Sequence, residues 1–404
     1  MSRVKLFAAA VIGLAGFTDA IIFAIIIPII PFIVHDLNAD EALIGVLLAL
    51  YGLGVILGSV FFGTMSIRKA SVSKRSQMIW ALVASFAATA LFAFGKSIWV
   101  LGVARVLQGF ACNGAWVIGL SLMADYYQDD QKNMGKAMNA IEIGYVSGQL
   151  LGPPIGGYLF TLNYYAPFAF CGALIVLDLV GRLLLPDPVK LHVTEETPED
   201  PSKESEIQVK DIFKFKALWL VLFLAAALYT AFNGIEPTLP LYLHATFGFD
   251  SAQIGLMWMS LVLPQIASSF VGAHLFDTYG MKTSFTVGYV TACVALFVVA
   301  IPGPTKNIAW TACVLVFTGI GLGLGIAPIA PAIAASVPLK YATIGYCLMM
   351  VVFATGMVAG PIMASFMYQS IGWSYEMLVF GCILTVSTVL VAWLPKGLQE
   401  NKTG

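Results

Sequence analysis

Charge is what this 404-residue chain has least of: Asp, Glu, Lys and Arg make up 11% of it, while 59% is hydrophobic. Soluble domains carry about 25% charged residues, so a water-soluble globular fold is excluded. The net charge of −1 leaves no basic surface for nucleic acid. Histidine is limited to His35, His192, His244 and His274, and the cysteines (Cys112, Cys171, Cys293, Cys313, Cys347, Cys382) sit in apolar runs without a CxxC pair. That spacing offers neither a zinc site nor a disulfide framework, and the cysteines read as small hydrophobes. No GxSxG or Walker sequence and no other catalytic constellation is present, so neither enzymatic activity nor ATP hydrolysis is expected. The string GIGLGLG at 319–325 lies inside an apolar run rather than between a strand and a helix, which argues against a nucleotide loop. The first apolar run, from Leu6 past Val34, is too long for a signal-peptide core and lacks a small-residue cleavage site.

What the chain does contain is a series of apolar runs long enough to span a bilayer, for which about 20 residues suffice. They fall near 6–34, 42–65, 76–95, 98–124, 137–160, 164–185, 217–243, 253–276, 283–302, 308–337, 341–369 and 373–395. The expectation is an all-α polytopic membrane protein of twelve transmembrane helices. The longest polar interval, 186–216, is rich in charge and proline and reads as a flexible cytoplasmic linker. It separates a six-helix bundle at 1–185 from a second at 217–404 that ends in a short tail. With an even number of spans both termini share a side. Every Lys and Arg except Lys96, Lys306 and Arg105 falls on that side, which is therefore expected to be cytoplasmic. The halves repeat: Pro28-Ile29-Ile30-Pro31 recurs as Pro237-Thr238-Leu239-Pro240 and Gly63 as Gly272 at an offset of 209, and Gly152-Pro153 as Gly360-Pro361 at 208. A shared offset at three separated landmarks indicates two six-helix pseudo-repeats, the arrangement by which many transporters place a site between their halves.

The fifth run carries GYVSGQLLGPPIGGYLF, which sets Gly144, Gly148, Gly152 and Gly156 four residues apart, followed by Gly157, with Pro153 and Pro154 between. Small residues at that spacing let helices approach closely in lipid. This string, with Arg105, Gln108 and Gly109 of RVLQG on the fourth run, resembles the major facilitator superfamily and, within it, the twelve-helix drug:proton antiporters. TDAIIFAIIIPIIP on the first run and NGIEPTLPLYL on the seventh are similar to the vesicular amine transporter branch and its microbial and fungal relatives. The resemblance runs from Leu6 to about Pro395. It implies the major facilitator fold and export by antiport, driven by a proton gradient without a cofactor. Three departures stand out. The tenth and eleventh runs lack the acids that monoamine-loading relatives carry. Tyr51 stands near the place of their second-helix lysine. The loop GTMSIRKASVSKR keeps Arg68 but has lost the acid of the family's loop motif, whereas its counterpart keeps Asp277, Gly280 and Lys282.

Ionisable groups inside the membrane mark pathways more often than packing. Asp19 lies about 20 Å along the first helix from Leu6 and Glu236 about 30 Å along the seventh from Lys216, at 1.5 Å per residue. Both stand on first helices of their halves, which the resemblance places around the central cavity. They are the expected proton and substrate sites, at different depths, and Arg105 is the expected partner of one of them. Glu142 on the fifth run could take a proton or an amine, or pair with Lys136 or Arg68. Asn113, Asn233 and Gln149 could supply cavity polarity or hydrogen bonds between helices, and Pro237 frees a backbone carbonyl near Asn233. Asp178 and Arg182, spaced i, i+4, are expected to pair with each other. The expected partners are a small organic substrate, protons and the lipid bilayer, for a monomer placed in the plasma membrane ahead of a vesicular or vacuolar one. Vesicular loading of an amine or polyamine is the alternative, and a non-transport receptor or polytopic enzyme is the alternative of another class.

Overall fold

A computed structural model of the chain describes residues 3–67, 74–127, 131–185, 209–301, 307–338 and 341–394. Among them every regular element is helical, because in hydrocarbon a backbone must satisfy its own polar groups. The twelve apolar runs each coincide with a helix or half-helix. Among the described residues eight helices are long and apolar enough to cross a membrane. Two of these, Ser251–Ala300 and Ala342–Val391, are 50 residues long and turn at Gly280 and Gly372, so each supplies two spans. Ile98–Tyr126 and Gln131–Leu162 complete the twelve.

Two expected spans are not single helices. The run at 6–34 is built as Arg3–Ala24 and Ile30–Asp36, joined by turns at 25–29. The run at 308–337 is built as Ile308–Ile326 and Ile329–Ser336, with Pro328 at the join. Pro28 cannot donate to Ala24 and its ring crowds that carbonyl. The Ala24 carbonyl instead accepts from Ile27 at 3.2 Å, three residues on rather than four.

The chain forms two compact units, Met1–Glu195 with Leu243–Met259 and Glu196–Tyr242 with Ser260–Gly404. Division at a 186–216 linker stays a proposal, since 186–208 lie outside the described residues. In the first unit the fifth span packs on the first and the fourth on the second. The glycines make this possible. A Cβ on Gly144 would stand 2.1 Å from the Gly13 carbonyl oxygen, and one on Gly109 2.1 Å from that of Tyr51. In the second unit Gly319 faces Leu261 in the same way, also at 2.1 Å, and Gly360 lies against the backbone of Thr230 to Gly234.

Both units also tie off their last helix alike. Arg75, at the start of the third span, donates to the carbonyls of Arg182 and Leu183, and Lys282, at the start of the ninth, donates to that of Ala392 at 2.7 Å. A cation at a helix C-terminus satisfies orphan carbonyls and complements the dipole. The sixth span is held further by Arg182, whose Nε is 3.2 Å from Asp178 and whose Nη2 is 3.4 Å from the Val11 carbonyl. This expected pair is fully buried at 0–1% exposure, a cross-tie to the first span rather than an interfacial ion pair.

Candidate functional site

Asp19 lies midway along the first helix, and its Oδ1 accepts a hydrogen bond from the Tyr51 hydroxyl of the second span at 2.8 Å. The Tyr51 ring in turn lies under the Arg105 guanidinium at 4.7 Å, with the Phe23 ring 5.7 Å from the same group. Arg105 is 0% exposed. It donates to the Leu47 carbonyl at 3.4 Å and to Gln108 at 3.2 Å, and Gln108 continues to Thr89 at 3.2 Å. The RVLQG motif thus builds a polar chain across the second, third and fourth spans. Its glycine, Gly109, permits the approach of Tyr51 described above. The expected ion pair is replaced by an indirect link: Tyr51 presents its hydroxyl to Asp19 and its ring to Arg105. Holding the cation on an aromatic face leaves the carboxylate free of a cationic partner among the described residues.

Beside Asp19 is a cavity of about 10 Å³ that is also lined by Thr18, Ser85 and Cys112. A space of that size is at the lower limit for one water. Thr18 brings a buried hydroxyl with no hydrogen-bond partner among the described residues, and Ser85 lies 3.7 Å from the Cys112 thiol.

The remaining residues disperse. In the first unit Asn113 meets Gly58, and its Oδ1 is buried without a partner among the described residues. Gln149 donates to Tyr145 at 3.3 Å. Glu142 is exposed; Arg68 and the side chain of Lys136 lie outside the described residues. Gly144, Gly148, Gly152 and Gly156 all face the first helix, whereas Gly157 faces the start of the eighth span, where Ser251 donates to its carbonyl at 2.9 Å. Pro153 and Pro154 do not interrupt their helix, and the Pro153 carbonyl is met by Gly255, whose Cβ would stand 2.3 Å away.

In the second unit Glu236 is buried at 3% exposure on the seventh helix. Asn233 donates back to the Tyr229 carbonyl of its own helix at 2.7 Å, so it does not bridge helices through that bond. Gly280 turns the chain between the eighth and ninth spans at φ +82°, Lys282 caps the twelfth span, and Asp277 is exposed.

One buried acid escaped the sequence reading. Glu376, on the twelfth span, is 0% exposed and lies 2.8 Å from the Thr238 hydroxyl. It follows Gly372 by four residues in a Trp- and Tyr-bearing stretch that resembles an interfacial helix start. The available signal was register, since the antiparallel seventh and twelfth helices bring Thr238 to it.

The family model for the Major Facilitator Superfamily matches residues 12–361. The chain belongs to the Major Facilitator Superfamily. This superfamily member is 28% identical over 400 residues to the MFS-type transporter C18.02 of Schizosaccharomyces pombe, covering 88% of each chain. It is 25% identical over 459 residues to the MFS-type transporter ppzB of Metarhizium majus, covering 95% of this chain and 98% of that one. To the human chromaffin granule amine transporter it is 27% identical over 379 residues, covering 90% of this chain and 68% of the relative. Among solved structures it is similar to a bacterial homologue of the human lysosomal transporter Spinster, inward-facing and unoccupied, with a TM-score of 0.81 at 13% identity over 97% of both chains. The nucleoside transporter NupG follows at 0.77 and 14%, over 97% of this chain and 99% of that one. These structures establish the fold. The protein is a multi-pass secondary transporter, not an enzyme.

Proposed function

We propose that this transporter is a proton-coupled antiporter that exports a small organic compound, amphipathic or cationic, by alternating access. The observation that carries the reading is the Asp19 carboxylate, held by Tyr51 at 2.8 Å beside a small cavity and without a cation of its own among the described residues. An acid set at that depth costs about 2.5 kcal/mol or more, and a proton or an ammonium group removes the charge. Glu236 serves as the second exchange station, and Arg105 acts on Asp19 through Tyr51. The glycine faces of the fifth span allow the movement between states. The protein acts as a monomer in the plasma membrane, with both termini cytoplasmic, and needs no cofactor beyond the proton gradient.

The test is flux in proteoliposomes with an imposed pH gradient across a panel of amines and drug-like compounds. Asp19→Asn and Glu236→Gln are expected to abolish gradient-driven transport while leaving the protein folded. Full transport in both variants would overturn the assignment.

The similarity to the chromaffin granule amine transporter supports a second reading, vesicular loading of an amine by the same chemistry. The absence of acids from the tenth and eleventh spans weighs against a monoamine. Localisation of a tagged chain separates the two readings: a vesicular membrane favours loading, and the plasma membrane favours export.

A further inference from the structure

Within the second unit the seventh and twelfth helices meet along three steps. A Cβ on Gly234 would stand 2.5 Å from the Phe380 ring. One turn on, Thr238 Oγ1 lies 2.8 Å from Glu376 Oε1. A further turn on, Tyr242 stacks on Trp373 with centroids 4.8 Å apart and planes at 13°. The 234, 238, 242 edge of one helix therefore runs against 380, 376, 373 of the other, and the acid is shut between a phenylalanine and an aromatic stack. Thr238 and Glu376 are both 0% exposed.

The hydrogen-bond arithmetic points to the acid's state. Thr238 has one hydroxyl proton and two neighbours that accept, Glu376 at 2.8 Å and the Gly234 carbonyl at 3.2 Å. A carbonyl only accepts, whereas a neutral carboxyl can donate. With the proton on Glu376, the carboxyl donates to Thr238 and Thr238 donates to Gly234, so both contacts are satisfied. Glu376 Oε2 is buried with no hydrogen-bond partner among the described residues, which a carboxylate would tolerate far less well than a neutral acid.

Among the described residues no cation forms an ion pair with the acid. The eleventh and twelfth helices contain no Lys, Arg or His between 342 and 391. Their other titratable groups are Tyr346, Cys347 and Tyr368 on the eleventh and Tyr375 and Cys382 on the twelfth. The ninth, which meets the twelfth at Gly381, carries Lys282, Tyr289 and Cys293, with Lys282 engaged at the Ala392 carbonyl; the seventh carries Lys216, Tyr229, Glu236, Tyr242 and His244. Lys216 is about 33 Å along the helix from Thr238, and Glu236, two residues away, points about 200° round it. His244 Nδ1 is engaged with the Phe249 carbonyl at 2.9 Å.

We propose that Glu376 is a proton-binding site of the second unit, carrying a proton while the seventh and twelfth helices pack in this way and releasing it to water when the Tyr242–Trp373 stack parts. The site is separate from Asp19 and Glu236. It extends the coupling proposed above without depending on it, because proton binding can be read on the transporter without substrate.

The test is infrared spectroscopy of the full chain in lipid nanodiscs over a pH series. At about pH 7 an ordinary glutamate, with a pKa of about 4.3, is ionised. The wild-type spectrum is expected to show a protonated-carboxyl band that Glu376→Gln lacks. Thr238→Val should keep the band and move it to higher frequency, because the carboxyl loses its hydrogen-bond partner. Trp373→Ala, which opens the site, should lose the band at least one pH unit below the wild type, a tenfold change. If Glu376→Gln does not fold, the other two variants still report, since Glu376 is intact in both. Carboxylate bands in place of the acid band at pH 7, or a band that neither variant moves, would overturn the proposal. Failure of the antiport reading would appear only in the flux assay.

Discussion

At an offset of 209 or 210 residues, Asp19, Tyr51 and Arg105 of the first unit are matched by Leu228, Leu261 and Leu315 of the second. The register is structural as well as arithmetical. Gly109 meets the Tyr51 backbone as Gly319 meets that of Leu261, and the repeated Gly–Pro pair packs on the first helix of each unit. In the other direction, Thr238 and Glu376 are matched by Ile29 and Phe168 at 209 and 208. Each unit thus places its polar contact where its counterpart is apolar. The small residues that allow helices to approach are shared, so the fold depends on them. The ionisable groups are not shared, and a frame that is stable with leucines at those places does not need acids there. Their retention in one half argues for function rather than packing.

The largest effect should come from making the first unit resemble the second. Asp19→Leu is expected to reduce gradient-driven flux at least 100-fold, a loss of about 2.7 kcal/mol in transition-state terms. Its melting temperature in detergent should hold or rise, since a buried charge is replaced by the residue the repeat already accommodates. A fall in melting temperature instead would make Asp19 structural. The reverse change is next. Leu228 is 0% exposed and lies against Gly325, so Leu228→Asp buries a carboxylate in a unit that carries Leu261 and Leu315 where the first carries Tyr51 and Arg105. It should cost about 2.5 kcal/mol or more of stability, read as a lower denaturant midpoint. An unchanged midpoint would mean that the two positions are equivalent environments.

The turns come third. In the first unit the fifth and sixth spans are joined through Asn163, whose side chain accepts from the Tyr165 amide at 2.8 Å. The corresponding turn of the second unit is Gly372 at φ +78°, ψ +170°. That combination is open essentially to glycine alone. Gly372→Ala and Gly372→Asn should therefore cost alike, about 2 kcal/mol in chemical denaturation. A milder effect of asparagine would show that the turn relaxes into the left-handed region.

Much of this frame was legible in the sequence. Twelve apolar runs, two shared offsets and one glycine–proline string suffice, because spanning length and close helix approach are imposed by the bilayer. The break at 25–29 was not. The same PxxP spacing leaves the seventh helix continuous over Lys216–Phe247, and the difference lies in the flanks. Pro28 is surrounded by Ile25, Ile26, Ile27, Ile29 and Ile30, β-branched residues that weaken a helix already missing a donor. Pro237 has Glu236 and Leu239 nearby, and the Thr238 hydroxyl lies 3.2 Å from the Gly234 carbonyl. At the candidate site, Asp19, Tyr51 and Arg105 could each be named from sequence. Their order could not, because which of the three stands in the middle depends on the rotation of three helices, fixed by contacts such as Gly109 on Tyr51.

That middle position yields the smallest and most discriminating change. Tyr51→Phe keeps the ring beneath Arg105 and removes only the hydroxyl that meets Asp19 at 2.8 Å. A hydrogen bond to a charged group contributes about 1.5–3 kcal/mol, and part of it is replaceable by water from the adjoining cavity, so flux should fall roughly tenfold, about 1.4 kcal/mol. Tyr51→Leu, the residue that the second unit carries at Leu261, removes ring and hydroxyl together. It should fall further, by the additional 0.5–2 kcal/mol of a desolvated cation–ring contact at about 4.7 Å. Equal losses in the two variants would show that Arg105 does not act through the ring. A Tyr51→Phe variant with wild-type flux and an unchanged pH profile would show that Asp19 does not need the hydroxyl. The indirect link between Asp19 and Arg105 would then be a packing contact, and the polar chain of the first unit would serve the same structural end as the leucines of the second.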